Sequence, residues 1–453
     1  MKVIGYLSIL IWGLTAVFFG LFFGYSLYEK EKRAASRSAI VLLGVLGVLA
    51  LQLVMHTRVI FFFQVVTVIA ALAFAVLSLI PYRNHLDLRI FPSEERVDER
   101  DTMFARGEYL PGTEKYEIYY GKLHPEKKEF DDQLRSFPEV CEGGSLYEPL
   151  NSKICGATFS FIKNLLTAVD GKVSEEKIPI DPQSATRRIK GLTLYLGADL
   201  VGIAPVEKRF FYSHVGRGPE KWGSPIEVKH KFAIVFAVEM DYRMVSNAPF
   251  SPTAVESGRQ YQRAALISVT LAHYIRSIGY SARAHISESN YQAMLPPFAY
   301  LAGLGELGRM GYIITEKFGP RVRLGMVTTD LPLIPDKPKT FGVQDFCSFC
   351  KKCAENCPAR AIPFGEKQIV RGVEKWQLNY ESCYFFWRKI GTDCALCMYT
   401  CPYGKATNFF HALIRKYSTL SHFARRVCKI GDDFFYGRKP RKKDYPAWMR
   451  EGL

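Results

Sequence analysis

Charge is missing from three long stretches of this 453-residue chain. No Asp, Glu, Lys or Arg lies between Lys2 and Glu29, from Ser38 to Met55, or from Val59 to Tyr82. These gaps of 26, 18 and 24 residues match the roughly 20 apolar residues that a helix needs to cross a bilayer. A signal peptide is disfavoured for the first of them: its apolar run would be much shorter, and no small-residue cleavage site follows. No twin-arginine motif precedes the first run, so export of a prefolded protein is not expected. Internal repeats and low-complexity tracts are also missing, apart from two cysteine motifs. Three retained transmembrane helices are therefore expected in residues 1–83.

The basic residues beside these runs set an orientation. Lys30, Lys32, Arg33 and Arg37 fill the first connection and Arg58 alone the second, while Arg83, Arg89, Arg96 and Arg100 follow the third run. By the excess of Lys and Arg on cytoplasmic sides, the chain is expected in the inner membrane as a multi-pass protein, with its larger part facing the cytoplasm. The net charge of +16 also has a location: residues 404–453 hold twelve Lys or Arg against four Asp or Glu. Such a tail can rest on an anionic leaflet, or simply be a solvated terminus. No nucleic-acid recognition module accompanies it, and no nucleic-acid partner is expected.

The length exceeds what one hydrophobic core supports. Prolines 92, 111, 125 and 138 break up residues 83–181, where loops and short helices are expected. Ser184 to Val206 reads as a helix feeding a short strand. Phe232 to Met240 is a nearly unbroken apolar run, as in a strand buried on both faces. Gln262 to Ile278 reads as a helix stopped by Gly279, with further strands at Tyr312–Thr315 and Gly325–Leu331. This alternation implies an α/β sandwich.

Cys347, Cys350, Cys353 and Cys357, followed by Pro358, form the C-x2-C-x2-C-x3-C-P run of bacterial ferredoxins. Cys383, Cys394, Cys397 and Cys401, followed by Pro402, repeat its end with a stretched first gap. Thiolate is a soft anionic ligand suited to iron in a tetrahedral sulfur environment, and short spacing lets a loop wrap a cube. In two-cluster ferredoxins the fourth cysteine of each run crosses over. Carried over here, Cys347, Cys350, Cys353 and Cys401 hold one [4Fe-4S] cluster, and Cys357, Cys383, Cys394 and Cys397 the other. Zinc sites rarely use this run, and disulfides are disfavoured in a cytosolic setting. Cys141, Cys155 and Cys428 fall outside any ligand spacing and read as buried or incidental thiols.

Upstream of the cysteines, Ala302-Gly-Leu-Gly-Glu-Leu-Gly-Arg309, Ile313-Ile-Thr-Glu-Lys-Phe-Gly-Pro-Arg321-Val-Arg323, Thr328-Thr-Asp-Leu-Pro-Leu333 and Asp336-Lys-Pro338 succeed one another. Phe341-Gly-Val, both cysteine runs and Asp433-Phe-Phe-Tyr-Gly437 follow. In this order the segments resemble the corrinoid and iron–sulfur reductive dehalogenases, and the likeness covers most of residues 184–437. The resemblance implies a nitroreductase-like α/β core that binds a base-off corrinoid (cobalamin) beside a ferredoxin-like insert with two [4Fe-4S] clusters. No D-x-H-x-x-G sequence, which would supply a lower axial histidine, is present. The domains expected are 1–83 as anchor, 84–340 as corrinoid-binding catalytic domain, 341–403 as ferredoxin-like domain, and 404–453 as a basic segment completing the catalytic core.

Residue by residue, the resemblance implies that Gly303, Leu304, Gly305, Glu306, Gly308, Arg309 and Thr329 line the corrinoid, the glycines letting backbone approach a flat ligand. It also implies a proton-donating tyrosine before a helix, matched best by Tyr261 with Tyr242 as fallback, a polar active-site residue matched by Asn290, and a basic helper that is Arg321 or Arg323. A phenol with an ordinary pKa of about 10 is a poor acid at neutral pH until a cation stabilises its phenolate. The expected activity is replacement of halogen by hydrogen on an organohalide, using a Co(I) corrinoid fed by the clusters. The donor would be a quinol-linked protein, ferredoxin or flavodoxin. The respiratory relatives usually have a twin-arginine leader and a separate three-helix anchor protein; here the helices are fused. Two rivals stand beside this reading: an epoxyqueuosine reductase-like corrinoid enzyme, which expects an aspartate where Ser287-Glu-Ser-Asn290 stands, and a membrane iron–sulfur subunit that only passes electrons.

Overall fold

The computed structural model describes residues 2–55, 57–80, 88–137, 143–288 and 291–451; Arg83, Cys141 and Asn290 lie outside them. The chain forms two compact units. One comprises Met1–Asp87 with Lys405–Pro440, the other Leu88–Gly404 with Arg441–Leu453. The segment 404–453, expected as a single piece of the catalytic core, is thus divided between them. Its helices Phe409–Ser418 and His422–Phe435 carry apolar faces whose partners are the N-terminal helices.

In the first unit the charge-free runs are helices α1 (Lys2–Tyr28), α2 (Lys32–Val54) and α3 (Arg58–Leu79). At about 1.5 Å per residue they are about 33–40 Å long, enough to span the apolar part of a bilayer. Their few polar groups are used between helices: Ser8 Oγ donates to Gln52 Oε1 at 2.8 Å. Phe22 stacks on Phe410 with centroids 4.8 Å apart and meets Phe435 edge-on at 4.7 Å. Beyond the end of α1, the buried carboxylate of Glu29 receives Asn408 Nδ2 and lies 3.1 Å from His411 Nε2.

The second unit is built on a four-stranded antiparallel sheet in the order β1 (Leu200–Pro205), β2 (Phe232–Glu239), β6 (Val322–Thr329), β3 (Ala282–His285). Two separate short hairpins accompany it, β4 (Glu306–Leu307) with β5 (Ile313–Ile314), and β7 (Gln368–Val370) with β8 (Val373–Lys375). Central β2 is buried over Ala233–Val238 because both its faces are covered, and its side chains alternate between them. Ile234, Phe236 and Val238 meet the helix Ser251–Ser277, while Ala233 and Val235 pack with Phe298, Ala299 and Ile313 on the other face.

The helix Ser251–Ser277 starts well before the expected Gln262. Pro252 sits in its first turn, where a missing N–H costs nothing. The stretch up to Gly258 lacks an apolar stripe because it packs through small side chains. A Cβ on Gly258 would come 2.3 Å from Thr158 Oγ1 on the neighbouring helix Pro149–Lys163. That 15-residue helix is longer than the short helices expected for residues 83–181; Pro149 starts it, and Ile162 and Cys155 are buried in the unit.

Candidate active site

Each set of four cysteines surrounds its own cavity. Cys347, Cys350, Cys353 and Cys401 border a space of about 290 Å³ with Arg309, Phe346 and Tyr403. Cys357, Cys383, Cys394 and Cys397 border another of about 440 Å³ with Tyr312, Phe386 and Trp387. The thiols stand around these spaces instead of converging on a point: among the described residues, no three His, Cys, Asp or Glu side chains are placed to hold a single metal ion. Soft donors around a cavity fit a multi-atom iron–sulfur group.

Local backbone makes the cages. The helix Val343–Cys350 puts Cys347 and Cys350 on one face, three residues apart. Lys351 then turns the chain at φ 53°, so that Cys353 returns to the same cavity; between Cys394 and Cys397, Ala395 does likewise at φ 41°. A left-handed non-glycine residue costs about 1–2 kcal/mol. Its recurrence at the same step of both C-x2-C loops marks where the surrounding structure holds strain for function. Burial pushes the Cys347 thiol up to about 11, although Arg309 and Lys367 pull it down, and pushes Cys383 up to about 12 with help from Cys357 and Asp393. Eight thiolates in such surroundings need a compensating cation, which a bound cluster provides.

Beside the second cage lies a group of phenols around one guanidinium. Arg323, on β6, holds its Cζ 5.0 Å from the centroid of the Tyr261 ring, which projects from the middle of helix Ser251–Ser277. Its Nη2 donates to Ser257 Oγ at 2.7 Å and to Asp393 Oδ2 at 2.9 Å, and Ser257 Oγ donates to the same carboxylate. Burial opposes the charge of Arg323, but Tyr261, Asp393, Tyr312 and Tyr291 outweigh it and drive its pKa above the ordinary value. Burial pushes Tyr212 up to about 12, and Tyr291 and Tyr312 well above the usual phenol range; Cys397 and Cys383 add to the effect on Tyr312. Tyr212, Tyr291, Tyr312 and Arg323 lie deep inside the unit, yet each keeps accessible surface.

The structure separates the two candidate arginines. Arg323 faces Tyr261, whereas fully buried Arg321 donates to Gly404 O at 2.8 Å and to Met240 O, and lies over the Tyr242 ring at 5.6 Å. Tyr261 is in mid-helix, not before a helix, because the helix begins at Ser251. Asn290 lies outside the described residues.

The residues expected at a corrinoid have protein partners. A Cβ on Gly305 would come 2.4 Å from Ile314 O, one on Gly308 2.6 Å from Ile314 Cδ1, and one on Gly303 2.6 Å from Lys337 O. These glycines therefore serve close packing of the chain on itself. Leu304 is buried in the core on the β5 side of the sheet. Glu306 Oε1 accepts from Phe341 N at 2.6 Å and Val343 N at 3.1 Å, anchoring the helix that bears Cys347. Arg309 donates to Cys347 O at 3.0 Å and Pro363 O at 2.8 Å, and stacks on Trp376 at 4.4 Å. Thr329 Oγ1 donates to Ser281 O at 2.7 Å. Sequence reading missed Asp393, Ser257, Tyr291 and Tyr312; of these, Asp393 carried a signal, as a carboxylate directly before a motif cysteine.

Among known families, the 4Fe-4S dicluster domain matches residues 346–405. The tetrachloroethene reductive dehalogenase of Dehalobacter restrictus is 35% identical over 280 residues, 51% of this chain and 50% of that protein. The enzyme of the same name from Sulfurospirillum multivorans is 33% identical over 265 residues, 51% of this chain and 52% of that one. The chain thus spans about half the length of the curated relatives it matches. A solved catabolic reductive dehalogenase, NpRdhA, is 28% identical with a TM-score of 0.64, over 80% of this chain and 50% of that one. A reductive dehalogenase structure described as suggesting a mechanism for B12-dependent dehalogenation is 25% identical with a TM-score of 0.64, over 82% of this chain and 54% of that one. The epoxyqueuosine reductase of Bacillus cereus matches a smaller part, 32% identical over 123 residues and 24% of this chain. By sequence and by fold, this chain is similar to the reductive dehalogenases over about half of their length, and it carries a match to the 4Fe-4S dicluster domain toward its C-terminus.

Proposed function

We propose that the chain is a membrane-anchored reductive dehalogenase that replaces halogen by hydrogen on an organohalide. Two electrons and one proton enter, the carbon–halogen bond breaks, a carbon–hydrogen bond forms, and halide leaves. The observation that carries the reading is the Tyr261–Arg323 pair beside the second cysteine cage, with Asp393 joining Arg323 to the loop that bears Cys394. The phenols gathered around that one guanidinium support a reading in which a base-off corrinoid binds next to them within a nitroreductase-like core. When bound, a corrinoid supplies the reducing metal centre and two [4Fe-4S] clusters supply its electrons. Cys347, Cys350, Cys353 and Cys401 hold one cluster, and Cys357, Cys383, Cys394 and Cys397 the other.

The chain's own residues handle the proton. Tyr261 Oη delivers it to the carbon, and Arg323, 5.0 Å from the ring centroid, stabilises the phenolate left behind. Low dielectric strengthens that attraction. Glu306, Arg309 and Thr329 act through the protein groups they bond, and Leu304 with the close-packed backbone at Gly303, Gly305 and Gly308 shapes the frame around the corrinoid site. The resemblance adds Asn290 as a polar active-site residue. In this reading the protein is anchored in the inner membrane with the second unit on the cytoplasmic side, supported by the three apolar helices and the basic residues beside them, and a quinol-linked protein, ferredoxin or flavodoxin donates the electrons.

Anaerobic reconstitution followed by a screen for chloride and bromide release tests this. The expected result is halide release together with about eight irons and one cobalt per chain. Irons without corrinoid affinity would leave the electron-transfer reading in place, and reduction of an epoxide in transfer RNA without halide release would favour the epoxyqueuosine reading. Against the latter, Glu288, the acidic residue in the relevant segment, lies 3.4 Å from Lys163 Nζ.

A further inference from the structure

The cage around the second cavity and the proton donor are joined through one side chain. Asp393 directly precedes Cys394 and acts on the cage thiols, and its carboxylate also binds Arg323 on β6, 70 residues away in sequence. Arg323 Nη2 is held by two acceptors, Ser257 Oγ at 2.7 Å and Asp393 Oδ2 at 2.9 Å. Ser257 itself donates to Asp393, so both supports depend on that carboxylate. The side chains of Arg323 and Asp393 are only 11% and 13% exposed, so water cannot replace either partner at low cost. The backbone here is fixed as well: Thr392 Oγ1 donates to Pro249 O, and Ala395 holds its left-handed turn. Tyr261 is faced by Arg323 from β6, Tyr291 from the segment after β3, and the Phe159 ring at 5.9 Å from helix Pro149–Lys163. Of these, Arg323 alone is a cation.

We propose that Asp393 is a positioning residue: it fixes the Arg323 guanidinium over Tyr261 and places one negative charge between the second cysteine cage and the phenol. The inference rests on the dehalogenase reading and adds to it a physical link between the electron-carrying loop and the proton donor. A guanidinium without this partner has a dozen rotamers to explore, and a displacement of about 1 Å at a reacting group can cost a hundredfold in rate.

The test uses the full chain reconstituted with iron, sulfide and cobalamin. D393A is expected to lower kcat for halide release by about a hundredfold and D393N, which keeps a hydrogen-bond acceptor, by about tenfold, with KM within about twofold in both. On top of Y261F, D393A should lower the residual rate no further, because Asp393 acts through that phenol. Electron paramagnetic resonance should show both clusters assembled in D393A, with the potential of the Cys394-bound cluster raised and that of the other unmoved. Equal rate losses in the presence and absence of Tyr261, or no loss, would overturn the proposal. If even the unaltered protein releases no halide, the dehalogenase reading fails, and a crystal structure of D393A decides the positioning role. A guanidinium displaced from the Tyr261 ring supports it; one still centred there overturns it.

Discussion

Around Cys347, Cys350, Cys353 and Cys401 the positive side chains Arg309 and Lys367 outnumber the one carboxylate, Glu306, that acts on the thiols. Around Cys383 and Cys394 the charged side chain that acts, besides the other thiols, is Asp393, joined by no cation among the leading influences. Ligand type is the same in both cages, so the surroundings differentiate them. A positive environment favours the reduced, more negative state of an iron–sulfur group and raises its potential; a negative one does the reverse. The second cage is also the one beside Tyr312. In the proposed dehalogenase reading these two sites of equal ligand type take unequal roles: the first is assigned to receive electrons and the second, next to the Tyr261–Arg323 pair, to deliver them.

The most severe way to break this contrast is to remove one thiol from each cage. C397A should abolish halide release with any reductant while the first cluster's spectroscopic signal persists. C350A should also fail with a protein donor, yet recover activity with a small strong reductant such as titanium(III) that reaches the second cluster directly. Recovery in C397A instead would reverse the assigned order. A middle-sized effect comes from R309Q. It removes the cation and its bonds to Cys347 O and Pro363 O, at a cost on the order of 3 kcal/mol. Redox titration should show the first cluster's potential lowered and the second's unchanged; movement of both together would mean that the cages are not electrostatically independent.

The smallest effect sharpens what the cages share. Both bury thiols whose folded pKa is raised, to about 11 for Cys347 and about 12 for Cys383. Unfolded thiols lose their protons near pH 8.5 to 9. Between about pH 9 and 12 the unfolded chain therefore binds fewer protons, and stability of the iron-free protein falls as pH rises through that window. Melting scans of the iron-free protein should show this decline, whereas the iron-loaded protein, with its thiols already ionised, should be flatter. Parallel declines would show that these thiols do not govern alkaline stability.

Spacing along one segment was readable in the sequence; meeting points between distant segments were not. The two cysteine runs and the three charge-free helices are local patterns, as is the apolar run of β2. Helix Ser251–Ser277 was legible only in its second half, since its first turns pack through Ala254, Ser257 and Gly258 against another helix and leave no apolar rhythm. Arg321 and Arg323 are two residues apart, and periodicity alone would give them one face; Pro320 and the start of β6 after Arg321 place them at different tyrosines. The glycines of residues 303–308 are points of close approach, and the protein atoms that come close there belong to Ile314 and Lys337. Asp393 lay in a loop without periodicity, and its partner is 70 residues distant.

The pairing of Glu29 with Asn408 and His411 joins positions 379 and 382 residues apart. During synthesis α1–α3 emerge before the sheet, and the sheet-bearing unit is made up to Gly404 before those partners leave the ribosome. Completion of the first unit is therefore a late event, and a nascent chain halted before residue 405 would leave the Glu29 carboxylate beyond α1 with neither companion.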